Sequence, residues 1–187
     1  MTRLFLIRHG APQQDWGGAD ADPGLSEQGC AQAEAAALAL AREGPLQAVS
    51  SPMRRCRQTA ARFAGASPLI EPRVSEVATP AGIADRRAWL TENFPWAEGA
   101  VRRRWPTLDP VVRSWRDDVL AAVRALPADS AIFTHFIAIN AIVGAALGRD
   151  ETIVCRPDYA SITALDLNSG TLRLLVQGAE MNQGEVR

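Results

Sequence analysis

Short apolar, β-prone runs alternate with longer helical stretches along nearly all of this 187-residue chain. That alternation narrows the fold more than any other feature, because parallel strands need helical crossovers to join them. Residues 3–7 form a run apolar enough for a central strand covered on both faces. Ser26 is placed to cap an Ala-rich helix over about 27–42 that stops near Gly44-Pro45. Residues 46–49 suggest a short strand, and Ser51-Pro52 offers a cap and a first-turn proline for a helix reaching about Ala64. Residues 69–74 suggest a strand, 110–126 a helix, 131–134 a strand and 137–147 an apolar helix. Val112, Trp115, Val119, Val123 and Leu126 share one face of the first of these helices, so Trp115 is read as core. Residues 161–167 and 171–176, joined by Asn168-Ser169-Gly170, predict a terminal hairpin. The expected architecture is a three-layer α/β/α sandwich around a mostly parallel sheet, with residues 1–187 as a single domain.

Composition excludes several function classes. With 47% hydrophobic and 22% charged residues the chain is of ordinary soluble type, and its net charge of −1 gives no reason to expect nucleic acid or a membrane surface as partner. All 20 Lys+Arg residues are arginine, which rules out Schiff-base chemistry and a P-loop lysine. Cys30, Cys56 and Cys155 are odd in number and lack metal-ligand spacing, so neither zinc nor a disulfide framework is expected. Residues 4–7 are too few for the apolar core of a signal peptide, and no apolar run approaches a membrane span. A reduced, cytoplasmic protein is the expectation, with homo-oligomerisation left open.

The chain has two histidines, and each closes a predicted central strand: His9 after LFLI-Arg8, and His135 after AIFT. Open α/β sheets bind ligands at the carboxyl ends of their strands, so both imidazoles fall where chemistry is expected. Arg8 beside His9 is costly to bury without an anionic partner. Arg54, Arg55 and Arg57 in SSPMRRCRQTA open a helix whose N-terminus also favours anions, although spacing alone does not choose among the three.

These motifs together resemble those of the histidine phosphatase superfamily, whose fold is phosphoglycerate-mutase-like. LIRHG resembles its RHG signature, LSEQGCAQA (25–33) its LTxxGxxQA stretch, and SSPMRRCRQTA (50–60) its SSxxxRAxQTA stretch. IFTHFIAIN (132–140) corresponds to the strand that ends in the family's second catalytic histidine. The resemblance implies that His9 is the nucleophile, phosphorylated during turnover, and that Arg8, Arg55 and His135 form the phosphate pocket. It implies that Glu76, in RVSEVATPAG, is the proton donor; Asp15, Asp85, Glu92 and Glu98 are the alternative acids. No metal and no cofactor is implied, since arginines neutralise the phosphoryl oxygens that magnesium neutralises elsewhere.

The sequence also departs from the family pattern. Phe136 stands where the family usually has glycine, and either narrows the pocket or packs beneath the helix start. Pro12 and Asp15 replace a small hydroxyl residue and an asparagine of mutase-like members. Within residues 80–107, the stretch from Asp85-Arg86-Arg87 to Arg102-Arg103-Arg104-Trp105 is either a lid that grips an anionic or ring-bearing substrate, or a helical cover whose arginines face water. The expected function is a metal-independent phosphomonoesterase acting on a small phosphorylated metabolite. A phosphoglycerate-mutase-type phosphotransferase and a non-catalytic phospho-ligand binding module are the alternatives.

Overall fold

The computed structural model describes residues 1–14, 20–63 and 67–181. Its strands are β1 (Thr2–Arg8), β2 (Gln47–Ser50), β3 (Leu69–Ile70), β4 (Ser130–Thr134), β5 (Ile162–Asn168) and β6 (Thr171–Val176). Its helices are α1 (Glu27–Leu40), α2 (Arg54–Ala60), α3 (Arg86–Asn93), α4 (Pro110–Arg124) and α5 (Phe136–Ala146). The strands form one sheet in the order β3-β2-β4-β1-β5-β6. The first four are mutually parallel, while β5 and β6 run antiparallel to their neighbours.

Alternation along β1 builds two cores. Leu4 and Leu6 pack with Ile132 against Val119 and Val123 of α4 and Ile139 and Ile142 of α5. Phe5 and Ile7 face the other way, with Phe133, against Leu40 of α1 and Cys56 and Ala60 of α2. Both faces of the sheet are therefore covered, which is why β1 and β4 read as nearly continuous apolar runs. Among the described residues, no helix is long and apolar enough to cross a membrane.

Local signals placed most boundaries. Ser26 Oγ accepts a hydrogen bond from Gly29 N at 3.0 Å, capping α1. Asp109 caps α4 with Pro110 at the first position. Ser169 and Gly170, both at positive φ, turn β5 into β6.

Two expectations need correction. Only Leu69 and Ile70 of the segment 69–74 are strand, because Pro72 carries no amide hydrogen for the ladder and instead opens a 3-10 turn over Pro72–Val74. Helix α2 begins at Arg54 rather than at Pro52 and ends at Ala60 rather than near Ala64. The Ser51 hydroxyl does accept from Met53 N (3.3 Å), but its short contact is with His135.

Residues 80–107 pack as a cover with its own core. Leu90, Phe94 and Trp105 are buried with Val77, Val112, Phe136 and Ile137, and Trp89, Trp96 and Trp115 lean against this cluster. Phe94 lies 5.7 Å from both Trp89 and Trp105, centroid to centroid, in edge-on contacts. Arg104 grips Asp150 at 2.6 Å on the surface, and Arg102 donates to the carbonyls of Pro95 and Ala97. Trp105 is thus core, Trp89 and Trp96 are partly buried against it, and none of the three lines the site.

Candidate active site

Sheet order is what assembles the site. Moving from β3 through β2 and β4 to β1, the carboxyl ends of four parallel strands deliver Glu76, then Ser51 and Arg55, then His135, then Arg8 and His9. Arg8 pairs in register with Thr134, so the next residue of each strand is a histidine, and the two rings lie 5.3 Å apart. Arg8, His9, Arg55 and His135 are all buried.

Each imidazole has its tautomer set by a neighbour. His9 Nδ1 lies 2.9 Å from the Gly10 carbonyl, which can only accept, so Nδ1 carries the hydrogen and Nε2 is the free nitrogen. His135 Nδ1 faces Arg55 Nη2 at 3.2 Å, and a guanidinium can only donate. The His135 hydrogen therefore sits on Nε2, which donates to Ser51 Oγ at 2.8 Å. Burial, followed by the charges of Arg55 and Arg8, holds the His9 pKa well below the usual histidine value. Burial, Arg55, His9, Arg8 and Arg86 do the same to His135.

Arg8 is locked by stacking and by hydrogen bonds. Its guanidinium lies 3.8 Å above the Tyr159 ring and 5.3 Å from that of Phe136. Nη1 donates to the Pro157 carbonyl and to Met181 Sδ, both at 3.0 Å, whereas the buried Nε has no acceptor among the described residues. Phe136 is 1% exposed and lies under Arg8, so the alternative in which it narrows the pocket does not hold. Cys56 Sγ sits 3.3 Å from His135 Nε2, and burial pushes its thiol up to about 12. At neutral pH it is a packing group and no rival nucleophile.

Glu76 is half-buried, its Oε1 accepting from Val77 N at 3.1 Å, and burial raises its carboxyl pKa above the usual range. It lines a cavity of about 400 Å³ with Arg55, Arg86, Arg87, Met53, Leu90 and Asp20. The alternative acids lie elsewhere: Asp85 caps α3 by accepting from Ala88 N, Glu92 and Glu98 are exposed and off the cavity wall, and Asp15 lies outside the described residues.

Asp22 and the pairing of Ser51 with His135 are invisible to sequence spacing, whereas Arg86 belongs to the cover segment already marked as able to grip an anion. Asp22 accepts from Arg54 N through both carboxylate oxygens (2.9 and 3.0 Å) and lies 3.7 Å from Arg55 Nη1, so it caps α2 from outside the helix. Ser51 fixes His135, and Arg86 enters the cavity wall. Partners of the motif residues supply the frame: Gln58 accepts from Leu25 N, Gln32 from Ala11 N, and Thr59 Oγ1 from Gly10 N. Among the described residues, no three His, Cys, Asp or Glu side chains come together in a way that could hold a metal ion.

Gly10 and Gly29 explain each other. A Cβ on Gly29 would lie 2.1 Å from the Ala11 carbonyl oxygen, and one on Gly10 would lie 2.4 Å from that of Gly29. Helix propensity favours alanine over glycine by about 1 kcal/mol. Gly29→Ala is nonetheless expected to destabilise by about 2 kcal/mol, because α1 must back away from the His9 loop. The midpoint of urea unfolding checks this, and a midpoint that rises would contradict the close approach.

Comparison with known proteins bears on family and fold. The chain is 36% identical over 136 residues to bifunctional protein Rv2228c of Mycobacterium tuberculosis and to uncharacterized protein Mb2253c of Mycobacterium bovis. The match covers 66% of this chain but only 35% of those relatives. Among solved structures it is similar to a mycobacterial glucosyl-3-phosphoglycerate phosphatase complexed with VO3 (TM-score 0.70, 26% identity, 96% of this chain and 100% of that one). It is also similar to TTHB049 from Thermus thermophilus (TM-score 0.63, 26% identity, 95% and 99% covered). A phosphoglycerate mutase from the same bacterium shares the fold (TM-score 0.60, 23% identity, 95% and 99% covered). The family model described as histidine phosphatase superfamily (branch 1) matches residues 4–179, from the first strand to beyond the last, and the chain belongs to that superfamily.

Proposed function

We propose that the protein is a metal-independent phosphomonoesterase that hydrolyses a small phosphorylated metabolite through a phosphohistidine at His9. The observation that carries this reading is the His9 ring: its hydrogen is committed to the Gly10 carbonyl through Nδ1, and burial with the charges of Arg55 and Arg8 keeps it neutral, leaving the Nε2 lone pair. A nucleophile needs that lone pair, and burial together with the arginines keeps it from being protonated.

The reaction then runs in two steps. His9 Nε2 attacks phosphorus, the P–O ester bond breaks, and Glu76 gives its proton to the leaving oxygen. Water next attacks the phosphohistidine, Glu76 takes a proton from it, and the N–P bond breaks to restore His9. Arg8 and Arg55 bind the equatorial phosphoryl oxygens through both steps, His135 holding the Arg55 guanidinium in place by accepting from it, and the Arg8 Nε–H, unpaired among the described residues, is one donor available for this. A raised Glu76 pKa favours the protonated form that the first step requires. The cavity size suits a small substrate.

Hydrolysis of p-nitrophenyl phosphate should survive exhaustive treatment with EDTA and should be inhibited by vanadate, which mimics the five-coordinate phosphoryl group. Activity that vanishes on chelation and returns with a divalent metal would overturn the mechanism.

A further inference from the structure

We infer that Tyr159 is a positioning residue for phosphate recognition, whose ring sets the plane of the Arg8 guanidinium without occupying its donors. This rests on the phosphomonoesterase reading above and adds a residue to it.

The backbone explains how the ring reaches the site. Tyr159 sits in a tight turn in which Ser161 N donates to the Asp158 carbonyl at 3.1 Å. The turn enters β5 through a bulge: Arg8 N donates to the Ser161 carbonyl (3.3 Å) while Ala160 N donates to the Arg8 carbonyl (3.1 Å), so two residues oppose one. Ala160 takes the left-handed conformation (φ 54°) that glycine adopts in bulges of this kind. Its N–H also reaches the His9 carbonyl at 3.3 Å. Bulges re-aim side chains, and this one sets Tyr159 against the strand end that carries both site residues. Its ring centroid lies 3.8 Å from the Arg8 guanidinium carbon and 5.8 Å from the centroid of His9.

Arg8 needs a constraint of this type. It is 0% exposed, and burial acts against its charge, yet among the described residues no carboxylate lies within 4 Å of it. Arg55, also buried, has Asp22 at 3.7 Å. A carboxylate beside Arg8 would fix the guanidinium by occupying N–H groups that the phosphoryl oxygens require. The face of a phenol ring attracts the cation and takes no N–H. The hydrogen bonds to Pro157 and Met181 both leave Nη1, so they pin one corner of the fork and leave its plane free to tip. The stacked ring stops that tipping, and bidentate recognition of phosphate depends on the plane.

Calorimetric titration with inorganic phosphate reads the effect without turnover. Tyr159 is half-buried, so Tyr159→Leu and Tyr159→Met can fill its space while offering no π face. Each should weaken phosphate binding about 5- to 30-fold, the factor expected of one desolvated cation–π contact. Tyr159→Phe keeps the face and should bind phosphate within about threefold of wild type. With p-nitrophenyl phosphate, Tyr159→Leu and Tyr159→Met should lose kcat/KM by at least the factor seen for phosphate, because the Arg8 contact persists into the transition state. Urea unfolding separates positioning from packing. A ring that only fills space would lower the unfolding midpoint and leave the phosphate affinity of the folded protein intact, and that result overturns the inference. So does Tyr159→Phe binding phosphate as weakly as Tyr159→Leu. Phosphate affinity that falls with the ring, in a protein whose wild type hydrolyses no phosphomonoester, would instead strike the hydrolase reading alone.

Discussion

Replacing His9 by alanine is expected to lower turnover by about 10⁴-fold or more, since a covalent route cannot run without its nucleophile. The same change should abolish a phosphoprotein that wild-type enzyme forms on rapid quench, one that is labile in acid and stable in base as an N–P bond is. His135→Ala should also cripple turnover, but for a different reason. His135 shares Arg55 and Ser51 rather than attacking phosphorus, so its loss loosens the phosphate pocket while leaving His9 Nε2 free. Some labelling of His9 should survive there. The contrast between the two histidines makes the experiment informative, because both are buried and both are neutral. Label retained by the His9→Ala protein would place the nucleophile elsewhere.

The histidines were legible in the sequence because their positions follow from strand periodicity alone. An apolar run marks each strand, and the first polar residues after it mark the carboxyl end, so His9 and His135 needed only the parallel register of β1 and β4 to meet. Arg8 was legible as a buried charge for the same reason. Arg55 was not separable from Arg54 and Arg57 by spacing; the resemblance chose it, and the geometry sets it against His135.

Glu76 shows where pattern runs out. It follows a two-residue strand whose side chains are both exposed, a segment with neither apolar alternation nor helical period. Asp22 and the pairing of Ser51 with His135 were out of reach for a related reason. Asp22 meets Arg54 across 32 residues of sequence and Ser51 meets His135 across 84, and no local propensity records such pairings. The Ser-Pro signal at 51–52 even pointed the wrong way, because the hydroxyl expected to cap α2 also receives the His135 hydrogen. The tryptophans of the cover segment were ambiguous in principle, since a buried ring and a ring that grips a ligand have the same composition. Packing against Val112, Phe136 and Ile137 decided it.

Glu76→Gln should separate leaving groups. The amide keeps the size and much of the hydrogen bonding of the acid but delivers no proton. Protonating the leaving oxygen matters most when that oxygen is a strong base, as in alkyl and sugar phosphates, and little for nitrophenolate. General acid catalysis typically contributes about 10²–10⁴-fold, so a steady-state loss of that order is expected on alkyl phosphates. With p-nitrophenyl phosphate the pre-steady-state burst, which reports phosphorylation of His9, should fall much less. The burst is the right observable, because Glu76 also serves as base toward water in the second step, and its loss there slows every substrate alike. The pH profile gives a second readout. The first step needs neutral His9 and protonated Glu76, so kcat/KM for an alkyl phosphate should rise as His9 loses its proton and fall as Glu76 loses its own. Because the His9 pKa is depressed and that of Glu76 is raised, the rising limb is displaced to low pH and the falling limb lies above the ordinary glutamate range. The glutamine variant should lose the falling limb that Glu76 contributes and keep the rising one. A burst that slows by the same factor for both leaving groups, with the falling limb unchanged, would make Glu76 a binding residue and send the search for the acid to Asp20, which lines the same cavity.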